Sequence, residues 1–243
     1  MERSIESLTE DDIERIERTS LRSLFLATRD FANEAWEFFR QSEDDPKDIA
    51  EDITRELLDR LGGYALTRRI FGNVDYRKAR YIILPDLAIR QAFMVDSKAE
   101  KNNSSATLQM SQLSLIVRQQ RSGKFSDVAG DLPSVTEYRG DNYLTTVLLS
   151  HYHYVAQTGN DSKDRPPYAL KSITLAAVPN GKLQSRYNPN YEDTIFIAGR
   201  NAPTRGESFR VRLSFSRLSD KAPWRIQQFT FAEDGTAQGD WHD

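Results

Sequence analysis

VDYRKARYIIL (residues 74–84) and AIRQAFMVD (88–96) decide how the chain is read. Both are extended by composition, and Pro85-Asp86 between them supplies turn chemistry. Asp96-Ser97-Lys98 follows at the end of the second run. In a strand, positions 96 and 98 project to the same side, so a carboxylate and an ammonium meet there. A lone D-x-K triplet is usually a surface ion pair, so a second carboxylate must decide its meaning.

Two aspartates compete for that place. Asp86 would lie about 30 Å along the strand from Asp96, at about 3.3 Å per residue, if Pro85-Asp86 is the turn. A hairpin centred between residues 85 and 86 instead pairs positions summing to 171, which sets Asp75 opposite Asp96 at about 5 Å. Two carboxylates so close repel unless a cation lies between them. The predicted centre is therefore Asp75, Asp96 and Lys98. Asp75, Asp96 and the backbone carbonyl of Ser97 would hold Mg²⁺, and Lys98 would help deprotonate or orient the attacking water. Glu51, on a helix upstream, is a candidate supporting acid, with a solvated helix surface as its simpler role.

Around this hairpin the chain divides by character. Residues 7–40 carry apolar positions at three- and four-residue spacing, with Ser7 or Thr9 available as a cap and acidic residues in the first turns. SEDDPK (42–47) breaks the pattern, and a second amphipathic helix is expected over 48–61, ending at Gly62-Gly63. Residues 105–120 are predicted as helix. Strands are predicted at 143–156, 169–178, 208–216 and 224–232, with loops at 157–167 and 179–206. The expectation is one mixed α/β domain over 1–243: a helical part (1–65), a catalytic hairpin with a following helix (66–124), and a strand-rich DNA-reading part (143–232).

Charge is unevenly spread over a chain of net −3. Residues 1–65 hold nine basic and eighteen acidic groups, whereas 66–124 and 165–230 each hold eleven basic and four acidic. Two basic blocks separated by acidic ones suit a polyanion-binding face assembled from distant segments, or simply two solvated surfaces. The 243 residues include no cysteine, which excludes disulfides and thiolate metal sites and fits a reducing cytoplasm. No apolar run approaches the roughly 20 residues of a membrane span, and the N-terminus lacks the apolar core of a secretory signal.

For base reading the best candidates are Arg205, Glu207, Arg210 and Arg212. Residues 210 and 212 share one face of a predicted strand, where each guanidinium could grip a guanine bidentately; Glu207 could accept from a cytosine amino group. Polar-out patterning is the plainer account of the same alternation. Arg200, Lys101, Asn102, Asn103 and Ser104 are secondary candidates. His151 and His153 share a strand face but have no further ligands nearby, so ordinary strand residues are the better reading. Ser185 has no partnering histidine and suggests no hydrolytic nucleophile.

The segments AEDIT (50–54), TRRIFGNVDYRKARY (67–81), VDSKAEKN (95–102), TLQMSQL (107–113), LQSRYNPN (183–190) and AGRNAPTRGE (198–207) resemble the SfiI-type restriction endonucleases, relatives of BglI in the PD-(D/E)xK nuclease superfamily. The resemblance runs over nearly the whole chain. It matches the family's first catalytic aspartate to Asp75, in its V-D-Y context, and its D-x-K pair to Asp96 and Lys98, with Ser97 where the relative has alanine. It implies a restriction-endonuclease-like core, a central mixed β-sheet flanked by helices. It further implies Mg²⁺-dependent cleavage of both strands of duplex DNA at an interrupted GC-containing palindrome, short 3′ overhangs, and a homodimer or homotetramer. The alternatives are a non-cleaving sequence-specific DNA-binding protein on the same scaffold and a repair or junction nuclease.

Overall fold

The computed structural model describes residues 4–61, 79–84, 89–121, 123–138, 140–156, 167–201, 203 and 209–243, with backbone alone at 79–84, 121 and 138. Two long helices open the chain. α1 spans Glu10–Gln41; the Thr9 hydroxyl accepts from the Asp12 N–H and the Asp12 carboxylate accepts from the Thr9 N–H, a reciprocal capping box. α2 spans Pro46–Arg60 and starts two residues before the expected 48. Asp45 caps it and Pro46 occupies the first turn, where its missing N–H has no partner to lose.

Among the described residues twelve strands follow: β1 (Ala79–Leu84), β2 (Ile89–Glu100), β3 (Ser105–Gln109), β4 (Ile116–Arg121), β5 (Lys124–Ala129), β6 (Val135–Tyr138), β7 (Asp141–Ala156), β8 (Tyr168–Val178), β9 (Phe196–Ala198), β10 (Arg210–Ser214), β11 (Ile226–Phe231) and β12 (Ala237–Gln238). Two short helices, α3 (Gln184–Tyr187) and α4 (Phe215–Lys221), lie among them. The central sheet runs β1-β2-β7-β8-β11-β12, with β6 against the start of β7. β2 and β7 are parallel and the other pairs antiparallel, so the sheet is mixed, as expected. Separate small sheets are β3-β10-β9 and β4-β5.

Residues 105–120 do not form the expected helix. They are β3, a short 3-10 turn and β4. The buried apolar positions there are Ala106, Leu108 and Met110, then Leu113, Leu115 and Val117, a spacing of two in each group. That is the period of a strand, and cross-strand pairing of β3 with β10 supplies the partners a helix would have made locally.

α1 packs across β8 and β11, and α2 across β2, on one side of the central sheet. One buried cluster joins Ile5 to Phe229 through both helices and the inner strands. Polar anchors inside it fix the layers. The Glu17 carboxylate on α1 accepts from Arg225 at 2.7 Å and from the Asn180 N–H at 2.8 Å. Gln91 of β2 donates to Ser20 of α1 and to Thr146 of β7. Buried polar groups are costly unless paired, so these contacts select one placement of α1 on the sheet.

Candidate active site

β2 is buried at nearly every position from Ile89 to Val95, and only from Asp96 onward do its side chains alternate toward solvent. An inner strand flanked by β1 and β7 reads as a continuous apolar run for this reason. Register with β7 separates its two faces. Gln91, Phe93, Val95 and Ser97 stand beside Leu144, Thr146, Leu148 and Ser150. That is the helix side, since Tyr152, next in this row, bonds Thr54 of α2. Asp96, Lys98 and Glu100 stand beside Leu149, His151 and His153 on the opposite face.

The predicted pair is brought together there. Lys98 Nζ lies 2.9 Å from Asp96 Oδ2, with each side chain 20% exposed. Asp96 Oδ2 is itself buried and accepts no geometrically sound hydrogen bond among the described residues, and the Lys98 ammonium is the cation paired with it there. A carboxylate oxygen left in that state suits a hard cation.

The ladder corrects one expectation. β1 and β2 pair Ala79 with Met94 and Leu84 with Ile89, so partners sum to 173, not 171. The pairing is centred between positions 86 and 87 and not between 85 and 86, so the direct opposition of positions 75 and 96 does not follow. A shift of two moves partners along the same face without flipping it. Asp75 and Asp86 themselves lie outside the described residues.

Glu100 ends the row. It accepts from Arg212 Nη2 at 2.8 Å and from the Thr107 N–H at 3.2 Å, and His151 Nε2 stands 3.9 Å away. Burial alone would raise its pKa; the imidazole of His151, the Thr107 side chain and the Arg212 guanidinium outweigh it and hold the carboxyl at about 2. His151 is fully buried, its ring edge-on to Phe215 of α4 at 5.3 Å between centroids, and its ring nitrogens make no hydrogen bond among the described residues.

Arg210 and Arg212 do share a face of β10, half-buried on either side of the buried Val211. Arg212 is also tied inward, to the Ser105 hydroxyl and carbonyl, the Thr107 hydroxyl and Glu100. The Arg210 N–H donates to Asn201, and Arg200 is exposed beyond β9. Lys101, Asn102, Asn103 and Ser104 form the exposed β2–β3 turn, where Asn102 Oδ1 accepts from the Ser104 N–H and hydroxyl. Arg205 and Glu207 lie outside the described residues. Glu51 on α2 faces Lys47 at 3.6 Å, one helical turn away. Glu100, His151 and Phe215 were missed as neighbours of the site. Glu100 continues the 96, 98 alternation and was legible had β2 been carried past residue 96.

The fold and this strand end define a nuclease-like scaffold: a mixed sheet with helices on one face and a carboxylate–lysine pair on the other. Known proteins sharpen that class. The family described as type II restriction enzyme SfiI matches residues 14–229. The type II restriction enzyme SfiI of Streptomyces fimbriatus is 31% identical over 255 aligned positions, covering all of this chain and 94% of the relative. Its crystal structure, a tetramer bound to cognate DNA, superposes with a TM-score of 0.87 at 28% identity, covering all of this chain and 94% of the other. The restriction endonuclease BglI, bound to its DNA recognition sequence, shares the fold with a TM-score of 0.71 at 18% identity, over 91% of this chain and 92% of that one. The chain belongs to the SfiI family of type II restriction enzymes and is a site-specific endonuclease. Among the described residues no helix is long and apolar enough to cross a membrane.

Proposed function

We propose that this chain is a single endonuclease domain that hydrolyses phosphodiester bonds in both strands of duplex DNA. It acts at a specific interrupted palindrome containing G·C pairs, with Mg²⁺, and leaves short 3′ overhangs in the cytoplasm. The observation that carries this reading is the Asp96–Lys98 pair at the exit of β2, on the face that also receives the β3-β10-β9 sheet. SfiI is a tetramer on cognate DNA, which supports duplex DNA and further copies of this chain, as homodimer or homotetramer, as its partners. Two-fold protein symmetry would then account for palindromy.

The residues fit the metal. Asp96 and the Ser97 carbonyl are oxygen donors at one strand end, and Asp96 Oδ2 is a buried acceptor without a hydrogen bond among the described residues. Asp75 is the proposed second carboxylate. Its support is its V-D-Y context (residues 74–76), which resembles that of the family's first catalytic aspartate. A Mg²⁺ held by these oxygens would supply Lewis acidity, lowering the pKa of water and offsetting charge on the phosphate. Lys98, held at Asp96, orients the attacking water and stabilises the negative charge that builds on the phosphoryl oxygens. Arg210 and Arg212 on β10, with Arg205 and Glu207, are proposed to read base edges, and Arg200 and residues 101–104 to contact the DNA nearby.

Plasmid digestion with Mg²⁺, comparing wild type with Lys98→Ala, tests this directly. Discrete fragments from the wild type and none from the variant are expected, and run-off sequencing of those fragments gives the site, overhang and palindromy together. Sequence-specific retention of DNA without any cleavage by the wild type would instead establish the non-cleaving alternative.

A further inference from the structure

The Arg212–Glu100 contact joins two parts of the molecule with different tasks. Glu100 lies on β2, two residues past Lys98 and on the same face. Arg212 lies on β10, the middle strand of the small sheet, two residues from Arg210. Four hydrogen bonds immobilise the Arg212 guanidinium: two to Ser105, one to Thr107 and one to Glu100, at 2.8–3.0 Å. Thr107 binds both partners, its hydroxyl accepting from Arg212 and its N–H donating to Glu100. A second link runs parallel to the first. Phe215, immediately after β10, sets its ring against that of His151, and His151 is the β7 neighbour of Lys98. The sheet proposed to read bases is thus fastened at Glu100 of the catalytic strand and at His151 of β7, the cross-strand neighbour of Lys98.

The geometry points to Glu100 as a positioning residue that couples base reading on β10 to the placement of Lys98 and Asp96 on β2. This rests on the endonuclease reading above. A wrong base that displaces β10 pulls on Arg212, and through Glu100 on the strand segment that carries Lys98; a cognate site leaves the segment in register. Selectivity in cleavage then exceeds selectivity in binding. The carboxylate is suited to this, because an ionised, multiply bonded glutamate holds a guanidinium in one orientation where a neutral amide does not. Its pKa of about 2 keeps it ionised throughout the range in which the enzyme would work.

Glu100→Gln keeps size and an acceptor oxygen but removes the charge. The test uses the duplex defined by run-off sequencing and the same duplex with one base pair altered. Binding is measured with Ca²⁺ in place of Mg²⁺, and single-turnover cleavage with Mg²⁺. Cognate binding by the variant is expected within about threefold of wild type, whereas the cognate-to-altered ratio of cleavage rates should fall by about tenfold or more. An unchanged ratio overturns the coupling, as does a fall in cleavage that simply follows a fall in binding. Absence of cleavage by the wild type overturns the endonuclease reading itself, and is thereby distinguished. Should Glu100→Gln fail to fold, Thr107→Val serves under the same criteria, since it removes the hydroxyl that holds Arg212 and leaves both charges in place.

Discussion

The two faces of β2 are built for opposite purposes. On the helix side, Gln91 closes a hydrogen-bonded circuit with Ser20 and Thr146, while Tyr152 and Thr54 bond one another at 3.0 Å. Burial pushes the Tyr152 phenol well above its ordinary range, which keeps it a neutral donor or acceptor. On the other side, Asp96 Oδ2 and both ring nitrogens of His151 are buried without hydrogen bonds among the described residues. Ser150 Oγ is also without a partner on the helix side, so the faces differ in chemistry: the unsatisfied atoms near Lys98 belong to ionisable groups that a ligand can complete.

That contrast can be broken from either side. On the open face, Lys98→Ala should reduce single-turnover DNA cleavage by about 10²–10⁴-fold while costing no more than the about 1–3 kcal/mol of a carboxylate left without its ion-pair partner. A large loss of stability would place Lys98 with the structural residues instead. On the closed side, Glu17→Gln leaves Arg225 buried opposite a neutral amide. Breaking such a pair costs about 3–5 kcal/mol, and for a chain of this size Tm should drop by roughly 10 °C, as calorimetry would read. A fall of under about 2 °C would show that Glu14, 3.8 Å from Arg225, already suffices.

Glu100 lies between these extremes and gives a pH signature. Its folded pKa of about 2 is below the ordinary 4.5, so its stabilisation is fully present above 4.5 and is lost as pH falls toward 2. Urea unfolding of wild type and Glu100→Gln should differ by at most about 3 kcal/mol at neutral pH, with the difference shrinking between pH 4.5 and 2. A difference that stays constant across that window would assign the effect to packing. The smallest change belongs farthest from the site. Thr9→Ala removes the capping box of α1 and should cost about 1 kcal/mol in denaturant titrations, with cleavage unaltered.

The same two faces explain what could be read in advance. α1 and α2 were legible because their apolar spacing, Thr9, Asp45 and Pro46 are local signals. β2, β7, β8 and β11 were legible as apolar β-branched or aromatic runs. β3 and β4 were mistaken for helix, since Leu108, Met110, Leu113, Leu115 and Val117 follow a period of two interrupted by a turn. The short β9 and β12 carry too few residues for any pattern.

Asp96-Ser97-Lys98 shows the division most clearly. The sequence by itself determined that this triplet follows the apolar part of a strand, and strand alternation then required Asp96 and Lys98 to meet on one side, because side chains alternate whatever surrounds them. It also determined the family, through segments spread over the whole chain. Tertiary structure alone decided the β1–β2 register, two positions from the one a tight turn would impose, because the length of a connection is set by how its strands pack. It alone brought Arg212 to Glu100 across 112 residues of chain, and His151 beside Lys98. Contacts between distant segments depend on sheet order and on which layers meet, and no local pattern of residues encodes those.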